Sequence, residues 1–345
     1  MRPFYFIFIL PLLCVAESPI TLGSGDWKFT FLPDAIQLPE KHAKAVQDYH
    51  GIAIDKQGRV YVGYYSEKTN KDTRAIARFI YQPDKQPPFK FDKFLGDSSW
   101  NKNRLHGLNI VNMPNGEERL LLVYNKQQVI LSDLEGNTSV EYSFNIQDTV
   151  FKKGSDGHYS PKAENIGVYD GYASNKLHEI NPKNGILPGH SHGSKGSGFE
   201  KTNTAHGMGV DPDGNYVIAD RGNKRLVWRN PDFSPMQSKQ GSNKHVQLET
   251  PGLEVCNVQF KDDFAVLPCL NSSMAFLEKS EKTESGYKLV GSFKMPDNLI
   301  KQGFDGIHDA NFSIDNKYII VAVWQRKRNV PPTLFALKKL GSEAK

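Results

Sequence analysis

The sequence predicts an all-β fold, a six-bladed β-propeller with four-stranded antiparallel blades. A strand–turn–strand unit that opens on His-Gly or a close variant recurs about every fifty residues, a period at which strand-only repeats build propellers. Long stretches with helical apolar spacing of three and four are nearly absent. The aromatic share of 11%, with 29 Gly and 20 Pro, suits short strands joined by turns.

Taken in chain order, Met1-Arg2, the apolar run Phe4 to Leu13 and Cys14-Val15-Ala16 have the regions of a secretory signal, with cleavage expected after Ala16. Leu13 directly before Cys14 argues against lipid attachment there. Residues 27 to 45, with Phe29, Phe31 and Ile36, are expected to close the ring against the last blade. The clearest unit runs from Ala205-His206-Gly207 through the turn Asp211-Pro212-Asp213-Gly214 to Val217-Ile218-Ala219 and Arg225-Leu226-Val227-Trp228. Copies start at Tyr49-His50-Gly51, Leu105-His106-Gly107 and Ile307-His308-Asp309. Weaker ones lie near His158 and Val255, giving anchors at 50, 106, 158, 206, 255 and 308. Residues 182 to 204, rich in Gly, Ser and His, read as an inter-blade loop. The expected organisation is a signal over 1–16, one propeller over 17–340 and a frayed tail over 341–345.

A net charge of +5, from 43 Lys+Arg against 38 Asp+Glu, is small for 345 residues and disfavours a dedicated nucleic-acid binder. After residue 16 no stretch approaches the ~18 to 20 apolar residues of a membrane-spanning helix. Without Cys14 the remaining cysteines are Cys256 and Cys269, flanking an expected hairpin; in an exported chain they are expected to form a disulfide, with two buried thiols as the alternative. Asn137, Asn271 and Asn311 head glycosylation sequons. No phosphate loop, dinucleotide fingerprint or Gly-x-Ser-x-Gly is present.

The inner strand of each blade lines a propeller channel, so His50, His106, His206 and His308, sharing one repeat position, are expected to converge near the axis. Converging imidazoles suit a divalent transition metal, and three of them leave a position open for water or substrate. The alternative is that His-Gly merely begins the inner strand, the ring bonding to backbone or water. His190 and His192 read as a solvated loop pair, and His178 as a strand side chain. Arg326-Lys327-Arg328 reads as loop charge.

The stretch from Ala205-His206-Gly207 to Ala219-Asp220-Arg221-Gly222-Asn223-Lys224-Arg225 resembles an NHL repeat. Asp170-Gly171-Tyr172, Asn175 and the Gly-rich run from Gly193 to Phe199 are similar to peptidyl-α-hydroxyglycine α-amidating lyase. The resemblance covers about residues 50 to 325 and is strongest from 165 to 228. It implies zinc on His106, His206 and His308, catalytic roles for Tyr172 and Arg221, and a structural calcium on Asp309 with backbone carbonyls near Leu108. The implied reaction cleaves a hydroxyglycine-extended peptide into a peptide amide and glyoxylate.

The chain departs from that pattern in several places. Tyr49-His50-Gly51 stands where the family carries an arginine, Gly306 replaces a methionine, and Leu105, Ala205 and Ile307 replace prolines. His50 is then an alternative fourth ligand, which would close the metal and make it structural. The readings in play are a metal-dependent lyase-like enzyme with a small-molecule or peptide ligand in the channel, a non-enzymatic propeller with a protein partner on its loops, and a calcium-dependent lactonase or arylesterase. The last needs Glu, Asn and Asp where this chain mostly has histidine.

Overall fold

Antiparallel pairing sorts the strands into six sheets in the computed structural model, which describes residues 19–66, 75–96, 100, 104–143, 151–181, 185–238, 240–248, 252–324 and 333–341. The sheets follow one another around a central channel. Their inner strands are Asp48–Ile54, Leu105–Asn112, Asp156–Ser160, Ala205–Val210, Gln259–Lys261 and Ile307–Phe312, which define blades 1 to 6. The expected secretory segment and Arg326-Lys327-Arg328 lie outside the described residues, as does the tail beyond Gly341. Among the described residues no helix is long and apolar enough to cross a membrane.

The turn after each inner strand explains why the repeat was readable. Gly58, Gly116, Glu164, Gly214, Asp262 and Asn316 take positive φ there, one per blade. This is the left-handed conformation that Gly, Asn and Asp reach at least cost. In blade 4 the Asp211 carboxylate also accepts the backbone N–H groups of Asp213 and Asn215, so the Asp-x-Asp-Gly segment folds locally.

Blades 1 to 5 have four strands each. The sixth has five, because Trp27–Leu32 pairs with Leu334–Lys339 and Thr21–Ser24 adds an outer edge. The N-terminal arm thus closes the ring, with Phe29 opposite Lys339 and Phe31 opposite Leu337. Trp27 stacks on Phe276 of blade 5 at 4.5 Å, so closure also buries an aromatic seam between neighbouring blades. Similar apolar clusters fill the other gaps between blades.

Three expectations are corrected. The 182–204 segment is not all loop: Gly185–His192 forms the outer strand of blade 3, an edge position that needs little apolar content. In blade 3 the residue in register with the histidines is Ser155 and not His158, and in blade 5 it is Cys256, so the anchors are 50, 106, 155, 206, 256 and 308. Cys256 and Cys269 are buried thiols and not a disulfide. Cys269 pairs across the strands with Val255, the neighbour of Cys256, and a one-residue offset puts two side chains on opposite faces of a sheet.

Candidate metal centre

The glycine after each of His50, His106 and His206 shows how closely the blades approach. A Cβ on Gly107 would lie 2.4 Å from Asp156 Oδ1, one on Gly51 2.5 Å from Leu108 Cβ, and one on Gly207 2.3 Å from the Cys256 carbonyl oxygen. His-Gly therefore marks the place where the next blade's backbone crosses the strand.

His50, His106, His206 and His308 converge at this level and are each at most 4% exposed. Ring centroids are 4.4 Å apart for His50 and His308, 4.6 Å for His206 and His308, 4.7 Å for His106 and His206, and 4.8 Å for His50 and His106. His106 and His308 lie 5.0 Å apart, so the four rings form two triangles sharing that edge.

Three rings are anchored in the same way. Nδ1 of His106 bonds the Ser155 carbonyl at 2.6 Å, that of His206 the Cys256 carbonyl at 2.8 Å, and that of His308 the His50 carbonyl at 2.9 Å. Blades 2, 4 and 6 thus supply imidazoles, while blades 3, 5 and 1 supply acceptors. An Nδ1–H given to a carbonyl leaves the Nε2 lone pair free for the channel, the orientation that metal-binding histidines need. Burial, with positive neighbours adding to it, holds all three well below the usual imidazole range, so they are neutral.

His50 differs. Its Nδ1 lies 2.7 Å from Asp48 Oδ1, and Arg104 pairs with the other oxygen of that carboxylate. Burial alone would raise the Asp48 carboxyl, but His50 and Arg104 hold it below the usual range. Neither Asp48 nor Arg104 was legible as a site residue: their contact spans two blades and 56 residues.

Tyr172 and Arg221 reach the same cluster. Tyr172 Oη lies 3.0 Å from His106 Nε2, and Arg221 Cζ lies 5.9 Å from the Tyr172 ring. An Nη1 of Arg221 is 4.0 Å from Cys256 Sγ. Burial raises the Tyr172 hydroxyl to about 12, against an opposing effect of Arg221, so the phenol stays protonated. Two guanidinium groups, Arg104 and Arg221, therefore flank the histidines.

One layer below, Asp156 and Asp309 form a matched pair. Asp156 accepts the N–H of Met208 and Gly157 and the Asn109 amide; Asp309 accepts the N–H of Ile52 and Ala310 and the Asn257 amide. Burial pushes Asp156 up to about 7 and Asp309 well above the carboxylate range. Between this layer and the histidines lies a small cavity lined by both, with room for one small body.

The other candidates fall elsewhere. His192 is exposed at the outer edge of blade 3, and His178 is buried in that blade's third strand. Of the sequon asparagines, Asn137 is exposed in a turn. Asn271 and Asn311 are half-buried, their amides bonded to the Gly252 and Ile52 carbonyls, and Asn311 lines the lower channel mouth.

Comparison with models of known protein families finds no match, and a search among curated proteins returns no significant relative.

Proposed function

We propose that the channel histidines hold a divalent transition metal, most simply zinc, in a lyase-like enzyme similar to peptidyl-α-hydroxyglycine α-amidating lyase, with blades of the NHL kind. The observation that carries this reading is the anchoring of His106, His206 and His308 through Nδ1 to three carbonyls, which turns three Nε2 atoms to the channel, that of His106 shared with Tyr172 Oη. When bound, the ion supplies Lewis-acid polarisation of a substrate oxygen. Arg104 and Arg221 pair with a substrate carboxylate, and Arg104 takes the part of the arginine absent from the Tyr49-His50-Gly51 strand. Tyr172 Oη, which donates to His106 Nε2, would be released if an ion took that lone pair and would then hydrogen-bond the substrate hydroxyl. The substrate class is therefore a small or peptidic carboxylate carrying a hydroxyl. Export, expected from the first 16 residues, belongs to the same proposal.

A structural calcium fits the layer below. Asp156 and Asp309 border a cavity for one small body, and their hydrogen-bond partners there are N–H groups and amides without a cationic side chain. Asp309 with the carbonyls near Leu108 would hold that ion.

A second reading is favoured by His50: four converging imidazoles can close a metal site, which then stabilises a non-enzymatic binding propeller. The test is release of glyoxylate from an α-hydroxyglycine-extended peptide by the zinc-loaded protein. Turnover that Arg221→Ala abolishes supports the enzyme. A zinc-loaded protein without turnover favours the binding propeller.

A further inference from the structure

We infer that the ion is held by His50, His106 and His308, and that His206 stands outside its coordination and faces the substrate beside Tyr172 and Arg221. This rests on the metal reading above and deepens it, since the resemblance assigns a different trio.

Three observations favour the His50 triangle. Ligand atoms of His50, His106 and His308 all lie within 4.8 Å of one another, the one such trio found among the described residues. A tetrahedral ion with Zn–N bonds of about 2.0–2.1 Å needs its nitrogens about 3.4 Å apart, so this trio closes on an ion with small ring movements. Secondly, the anionic partner is on this side. His50 Nδ1 lies 2.7 Å from the Asp48 carboxylate, which offsets part of the charge of a dication even with Arg104 on its other oxygen. Thirdly, Arg221 stands on the other side, its Nη1 4.0 Å from the Sγ of Cys256, whose carbonyl anchors His206. A dication in the His206 triangle would have a carbonyl and not a carboxylate behind its third imidazole.

The division of labour follows. His106 belongs to the ion's trio, and an ion on its Nε2 would take the lone pair that now accepts the Tyr172 hydroxyl at 3.0 Å, so loading the site would release the phenol towards the substrate side. His206 has the Tyr172 ring 5.6 Å away and its Nδ1 fixed by the Cys256 carbonyl, which aims Nε2 at whatever Tyr172 and Arg221 bind.

The test uses the full mature chain and zinc itself, titrated against a chromophoric chelator. His50→Ala should weaken zinc more than ~100-fold and Asp48→Asn by ~10- to 100-fold, while His206→Ala should change affinity only a few-fold. Circular dichroism reports whether each variant folds. An anomalous difference map from zinc-loaded wild-type crystals locates the ion without any substitution. Strong loss in His206→Ala with retention in His50→Ala, equal loss in both, or an ion bonded to His206 would overturn the assignment and leave the metal reading standing. A wild-type chain that binds no zinc would overturn both.

Discussion

His106 Nε2 lies 3.0 Å from Tyr172 Oη, while Nδ1 of the same ring is spent on the Ser155 carbonyl at 2.6 Å. The imidazole is therefore held in one tautomer, with Nε2 as acceptor and the phenol as donor. Tyr172→Phe removes the hydroxyl and leaves the ring contacts. It is expected to keep zinc affinity within a few-fold but lower turnover of an α-hydroxyglycine peptide by ~100-fold or more. Equal turnover in the variant would remove Tyr172 from the reaction.

Gly107→Ala tests the close crossing of blades 2 and 3. The added methyl would meet Asp156 Oδ1 at 2.4 Å and its Cα at 2.7 Å, neither able to retreat within the buried layer. Urea unfolding should show a loss of about 2–3 kcal/mol. Gly116→Ala, in an open turn with nothing within 4 Å but at positive φ, should cost about 1 kcal/mol from backbone strain alone.

Much of this architecture was legible because its causes are local. The Asp211 turn is made by residues within four positions of one another, and His-Gly recurs because each copy meets the same backbone crossing. Blade 3 misled because its channel position holds Ser155 while the nearest histidine, His158, lies three residues along the same strand. The thiols misled because sequence separation does not give the one-residue register offset that turns Cys256 from Cys269. Asp48 and Arg104 carry no pattern, and only the packing of blade 2 against blade 1 brings the two side chains together.

The thiol state has a direct consequence. Both sulfurs are fully buried and unbonded to each other, so in a native chain that lacks residues 1–16 a thiol reagent should find none, and two after denaturation. Zero thiols after denaturation without reductant would restore the disulfide.

Ring closure can be tested at Thr30, which pairs with Thr21 on one side and Lys338 on the other. Thr30→Pro removes a ladder donor in a strand bonded on both edges and should cost about 3 kcal/mol or more in thermal or urea unfolding. Thr30→Val should be close to neutral.

Burial holds His158 down to about 4, and it accepts the Tyr159 N–H on Nδ1. In the unfolded chain an imidazole titrates near ~6.5. Between those values the unfolded chain binds a proton that the native chain does not, so this group's contribution is full above pH ~6.5 and is lost as pH falls towards 4. Substituting His158→Gln should flatten the fall of unfolding free energy over that window. An unchanged slope would show that the ring is not kept neutral.

Metal content of the purified protein bears most directly on the channel centre. One equivalent of a tightly held divalent transition metal per chain is predicted, lost in His106→Ala, whose ring belongs to both triangles of the cluster. A wild-type chain that holds no such metal after exposure to zinc, or a His106→Ala variant that retains a full equivalent, would contradict the account.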